Sequence, residues 1–219
     1  MSEVKLRAGS VSQLADYVIR QLDHLFPVEP NGAELLQLHV PGALQRIRPI
    51  LSACRAFRQD EFDHFNSMQY ATFVYLLANE LWVHGLDQEQ FALCERLFLL
   101  NKALAGLDMY YKIDMPEVFF LSHGSGSVLA NTVYGNKLVL FHNVTVGRYG
   151  ASRPTIGQRV ILFPNSIVAG NSVIGDGAVI SAGVSVINQT VPDECLVFAG
   201  PQGLVFKPKK KNYESEFFR

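Results

Sequence analysis

The sequence predicts an α+β chain, an all-helical first half followed by a parallel β-helix, and three observations predict it. From Thr155 to Thr190 an aliphatic residue recurs every six positions, at Ile156, Leu162, Val168, Ile174, Ile180 and Val186. Four residues after each stands a residue of a second register: Val160, Ser166, Ser172, Ala178, Val184 and Thr190. Before about residue 105 the apolar period changes to three and four, the spacing of one face of an α-helix. With roughly half of residues apolar in an ordinary domain, six aliphatics out of six would arise by chance about once in sixty. Each hexad of a β-helix supplies a short strand and a turn, and three make a coil whose aliphatic positions stack into one core.

In chain order, residues 12–26, 33–57, 67–84 and 87–105 carry the helical spacing. Gly85 is a stop signal, and Asp87 followed by Gln90 is a capping-box start. Pro41 and Gly42 are expected to break or kink the second segment, which gives four to six helices. Tyr70, Phe73, Tyr75 and Trp82, at helical spacing, read as core or subunit interface. The hexad count also runs backwards, through Val146, Leu140, Tyr134 and Val128, with Val144, Leu138 and Thr132 in the second register. The coils therefore begin between Val118 and Val128. From Val146 to Ile156 the count slips to ten, so 147–154 reads as a loop leaving the coil, and loops on rigid scaffolds collect binding residues. Gly170-Asn171, Asp176-Gly177 and Gly183 fall where turns are needed. The preference for right-handed crossovers does not settle which way the coils wind. The boundaries expected are 1–105 for the helical domain, 106–205 for the β-helix and 206–219 for a basic tail.

The chain has 219 residues, 48% of them hydrophobic, enough for a real core. A net charge of -1 offers no footprint for nucleic acid. Lys5, Arg7 and Asp16 interrupt the N-terminal region, so neither a signal peptide nor a membrane span is expected, and the location expected is cytoplasmic. Cys54, Cys94 and Cys195 are scattered without metal or redox spacing and read as reduced structural thiols. Of the histidines, His24, His39, His64 and His84 share no pattern in the helical half. His123 and His142 fall in the β-helical half, and only His123 has glycine-rich surroundings, in Ser122-His123-Gly124-Ser125-Gly126.

A helical half, then Leu121-Ser122-His123-Gly124-Ser125-Gly126-Ser127-Val128, then Asn143-Val144-Thr145-Val146-Gly147, then hexads ending in Val197-Phe198-Ala199-Gly200-Pro201, resembles the serine acetyltransferases and their relatives in surface-polysaccharide gene clusters. The resemblance covers nearly the whole chain in architecture. It implies a left-handed β-helix, a homotrimer or a dimer of trimers, and acetyl-CoA as cosubstrate in the groove between subunits, with no metal. It also implies His123 as the general base. A neutral alcohol is a poor nucleophile near pH 7, and histidine titrates in the range needed to take its proton. In that family a carboxylate fifteen residues earlier orients the histidine, and Asp108 stands there. Asp114, nine residues before His123, is the alternative. Such a carboxylate fixes the tautomer and stabilises the imidazolium. By the same resemblance Gly147, Pro164 and Ala182 match cofactor-lining positions. The basic run Lys207, Lys209, Lys210 and Lys211 suits the phosphates of coenzyme A.

Two departures bear on the acceptor. Serine acetyltransferases carry an aspartate directly before the histidine and an arginine-histidine pair before a proline in the later loop; here those positions read Ser122 and Ser152-Arg153. Without that aspartate the serine ammonium lacks its charge partner, which costs binding in a partly buried site. The acceptor expected is therefore a sugar hydroxyl, met by Ser122, His142 and Arg153, with serine as the alternative. Two rival readings differ in class. A γ-type carbonic anhydrase needs three zinc-binding histidines and an open position, and the β-helical half has two histidines. A non-catalytic β-helical scaffold predicts that His123→Ala changes nothing.

Overall fold

The computed structural model describes residues 4–28, 31–85 and 87–219. It forms two compact units, one of helices running to Lys112 and one of coils from Ile113 onward that also takes in residues 53–56. The helices are α1 (Val11–Leu25), α2 (Gly32–Ala53), α3 (Ser67–His84) and α4 (Gln88–Ala105). Their starts follow from side chains that satisfy first-turn amides. Ser10 accepts from the Gln13 amide, Asn66 from those of Met68 and Gln69, and Asp87 and Gln90 form the expected capping box. Gly106 ends α4 in the left-handed conformation.

Of the break or kink expected at Pro41 and Gly42, the break does not occur: α2 runs through both Pro41 and Pro49 and stops at Ala53, short of Phe57. An internal proline costs about 3 kcal/mol. Leu36, Val40, Ala43, Ile47 and Leu51, all fully buried, line one face on either side of it. At ~1.5–3 kcal/mol for each large aliphatic, their burial outweighs that cost. Tyr70, Phe73 and Tyr75 lie in the core, as expected. Burial pushes the Cys54 and Cys94 thiols up to about 12, so both are inert at neutral pH.

The second unit is a three-sided coil. Its first sheet stacks Phe119–Leu121, Leu138–Leu140, Ile161–Leu162, Val179–Ile180 and Cys195–Gly200 in parallel, then adds Gly203–Pro208 antiparallel. The second stacks Val128–Leu129, Thr145–Gly147, Ile167–Ala169 and Ser185–Ile187; the third stacks Val133–Tyr134, Thr155–Ile156, Val173–Ile174 and Thr190–Val191. The aliphatic count becomes three buried columns: Leu140, Leu162, Ile180 and Val197; Val146, Val168 and Val186; Tyr134, Ile156, Ile174 and Val191.

The count fails at both ends. Val128 is 46% exposed, and Leu129 pairs with Val146 in its place. Thr190 is exposed and Val191 faces the core. In the first and last coils the second corner is one residue short, from Leu129 to Tyr134 and from Val186 to Val191, which shifts the register. In the second coil the same corner is long, as expected. Residues 148–154 leave between Gly147 and Thr155, and the loop is pinned by Thr132 donating to the Pro154 carbonyl and Arg153 to the Asn131 carbonyl.

At the third corner Gly135, Gly157 and Gly175 need to be glycine because the next coil lies against them. A Cβ on Gly135 would come 2.3 Å from the Gly157 carbonyl carbon, and one on Gly175 would come 2.6 Å from the Asp193 nitrogen. Backbone does not yield as a flexible side chain does. Gly135→Ala is expected to cost about 1–3 kcal/mol, read as a lowered melting temperature; an unchanged value would show that the coils can move apart.

Candidate active site

Backbone hydrogen bonds between coils define which residues stack at the first corner. The amide of Ser122 donates to Leu140, Phe141 to Leu162, Phe163 to Ile180 and Ser181 to Val197, at 2.7 to 3.1 Å. Ser122, Phe141, Phe163 and Ser181 therefore form one column, one residue per coil. Next, Asn143 donates to Ser125, Asn165 to His142 and Gly183 to Pro164. Ser125, His142, Pro164 and Ala182 form the adjoining column at the corner itself.

Between Ser122 and Ser125 the first coil holds two residues without a counterpart below, His123 and Gly124. This insertion pushes the backbone out, and His123 takes a left-handed φ of 54° with its side chain exposed. The turn is closed by Ser125 donating to the His123 carbonyl and Ser127 to the Gly124 carbonyl. Left-handed backbone costs a non-glycine residue about 1–2 kcal/mol, and strain of this kind collects at functional sites. Ser122, before the insertion, is 7% exposed.

Five of the residues singled out from the sequence thus share one corner: Ser122, His123, His142, Pro164 and Ala182. Gly147 and Arg153 belong to the second corner, where Gly147 pairs with Ala169. Asp108 lies in the helical unit and accepts from the Lys102 ammonium at 2.7 Å. Asp114 is exposed and lies in the same unit as His123. In the basic run, Lys207 is exposed, with its ammonium 5.5 Å from the Phe198 ring centre. Lys211 pairs with Glu216. Lys209 is a correction: its side chain is 5% exposed and bonds Glu194 at 2.7 Å, Glu214 at 3.2 Å and the Gly177 carbonyl at 2.9 Å. That ammonium is spent on the fold.

The hexad pattern assigns no role to the aromatics of this corner. Phe141 and Phe163 stack with ring centres 4.9 Å apart and planes 16° from parallel. Phe217 packs edge-on to Phe141 at 5.8 Å and also touches Phe120. The signal was present, since Phe141 and Phe163 each directly follow an inward aliphatic, but reading it required the length of the intervening loop.

Residues 153–188 match the family model for the bacterial transferase hexapeptide (six repeats). Serine acetyltransferase 2 of Arabidopsis thaliana is 31% identical over 62% of this chain and 42% of its own length. The serine acetyltransferase of Neisseria gonorrhoeae, solved in complex with serine, superposes with a TM-score of 0.65 at 22% identity, over 90% of this chain and 82% of that one. The Brucella abortus enzyme, solved with coenzyme A, gives 0.64 at 19% identity, over 92% and 83%. The chain carries the hexapeptide repeat of bacterial transferases over residues 153–188 and is similar to serine acetyltransferases. The expected fold, helices followed by a left-handed parallel β-helix, stands on that likeness. The chain spans about half the length of the curated relatives it matches, 42% and 53% of the first two. Among the described residues, no helix of it is long and apolar enough to cross a membrane, and no three histidine, cysteine or acidic side chains gather so as to hold a metal ion.

Proposed function

We propose that the protein is an acetyl-CoA-dependent O-acetyltransferase with His123 as general base and serine as acceptor. The observation that carries the reading is the two-residue insertion that lifts His123 alone out of an otherwise regular corner. A ring nitrogen of His123 takes the acceptor hydroxyl proton as the oxygen attacks the thioester carbonyl. The carbon–sulfur bond breaks, and the proton passes from the imidazolium to the departing thiolate. Asp114, in the same unit as His123, is the carboxylate we assign to orient the imidazolium, with Asp108, which pairs with Lys102, as the other candidate.

Acetyl-CoA fits the corner on its shape. The His142, Pro164 and Ala182 edge descends from His123 at about 4.8 Å per coil, and a Cβ added at Gly183 beside it would meet nothing within 4 Å. Lys207 and Lys210 are exposed cations suited to phosphate. The names of the relatives favour serine, which reverses the preference drawn from the sequence. A sugar hydroxyl remains the second reading because Ser122, where those enzymes keep a carboxylate, is neutral and buried. We further propose a cytoplasmic homotrimer that takes the cofactor between subunits.

The test is thiol release from acetyl-CoA with serine, sugars and nucleotide sugars offered in parallel and His123→Ala as control. Release with serine that the control abolishes supports the proposal. Release with sugars alone transfers it to the second reading, and no release with any acceptor overturns both. Asp114→Asn and Asp108→Asn, assayed across pH, identify the orienting carboxylate as the one whose loss moves the profile.

A further inference from the structure

The aromatic column continues below Phe163 with a gap. Ser181 occupies the fourth coil, and because its amide donates to Val197, the residue stacked beneath it is Phe198. Down one face of the first corner the column thus reads Ser122, Phe141, Phe163, Ser181, Phe198. Phe217 closes the upper side of Phe141, on the side of Phe120 and the first coil. Phe163 is stacked on one side by Phe141, and Phe198 follows it two coils further down the column, with Ser181 between them. Phe198 is 36% exposed. The two residues are two coil spacings apart in the backbone register, about 9.6 Å. A flat group stacked on both needs about 3.5–4 Å on each side, so the opening over Ser181 admits one ring system with little slack. The residues beside it, Ala182 and Gly183, are exposed and small. The ammonium of Lys207, on the strand beyond Phe198, lies over the Phe198 ring at 5.5 Å from its centre, so a cation stands beside the lower ring.

Two aromatic residues flanking a small one, with a lysine beside the lower ring, have the chemistry of a site for a nucleotide: a π-face for the base, a cation for its phosphates. We infer that Phe163 and Phe198 clasp the adenine of the coenzyme over Ser181, with Lys207 against its phosphates. This rests on the acetyl-CoA reading above. The acceptor is excluded by position, since its hydroxyl must lie within hydrogen-bond reach of His123, three coils and about 14 Å away. The coenzyme is long enough to have its thioester at one end of that span and its base at the other.

The test is calorimetric binding of coenzyme A, and separately of pantetheine, which lacks the nucleotide. Base stacking on an aromatic is worth ~1–3 kcal/mol by alanine substitution. Phe163→Ala and Phe198→Ala are therefore each expected to raise the Kd for coenzyme A at least about fivefold and to leave that for pantetheine unchanged. Phe163→Tyr should restore binding. Ser181→Phe fills the slot with the chain's own ring and is expected to give the same selective loss, which keeps the test open if an alanine variant folds poorly. Equal weakening of both ligands, or no weakening of either, overturns the slot while the acetyl-CoA reading stands. If the wild-type protein binds pantetheine but gains nothing from the nucleotide, the slot alone fails. If it binds neither, both readings fail.

Discussion

His123→Asn is expected to lower kcat for acetyl transfer by about 10²- to 10⁴-fold, the usual contribution of a positioned general base, with the melting temperature nearly unchanged. The separation of the two effects follows from where His123 sits. Its side chain is exposed, so no core contact is lost. Its backbone is left-handed, a conformation asparagine adopts more readily than most residues and does adopt at Asn143 and Asn165 on the same corner. His123→Ala should lose the same activity and, having no such tolerance, be slightly less stable. The Michaelis constant for acetyl-CoA should stay near the wild-type value in both, because the cofactor is proposed to lie along the coils below. Full activity in His123→Asn would take the base role from His123 and pass it to another group, His142 on the same corner being the first to test.

What the sequence disclosed and what it hid divide along physical lines. The hexads were legible because an inward aliphatic is needed at each face of each coil, and Ile156 to Val186 keep the period without a slip. The ends were not: a corner shortened by one residue leaves no mark in composition, so Val128 was read as core where Leu129 is. His123 was legible from its glycine-rich surroundings, and its isolation only from the hydrogen bonds that show the insertion. The Phe163–Ser181–Phe198 column depends on contacts between coils 17 or 18 residues apart, and turning it into a slot needs the register of all of them. Lys209 was misread for a related reason. In sequence it belongs to a basic run, and its three partners arrive from three separate places, Gly177, Glu194 and Glu214.

Lys209→Ala is accordingly expected to destabilise the protein by about 3 kcal/mol and to leave affinity for coenzyme A unchanged. Removing one member of a buried pair costs ~3–5 kcal/mol because the other charge stays buried, and Glu214 is 7% exposed. The lower end applies for two reasons. Glu194 is half exposed and can return to water, and Arg159, 3.7 Å from Glu214, retains part of the compensation. The weakened segment is specific. Glu214 begins the short 3-10 helix that leads into Phe217, and Phe217 braces Phe141 at the top of the aromatic column. The final residues are held as well, through Arg55 donating to the Phe217 carbonyl and Arg219 to that of Ala53. Loss of Lys209 should therefore raise hydrogen exchange first at residues 213–219, ahead of the coils. Lys207→Ala should do the reverse, with stability kept and coenzyme A bound more weakly. If the two lysines gave the same phenotype, the division of the basic run into a structural and a ligand-facing member would be wrong.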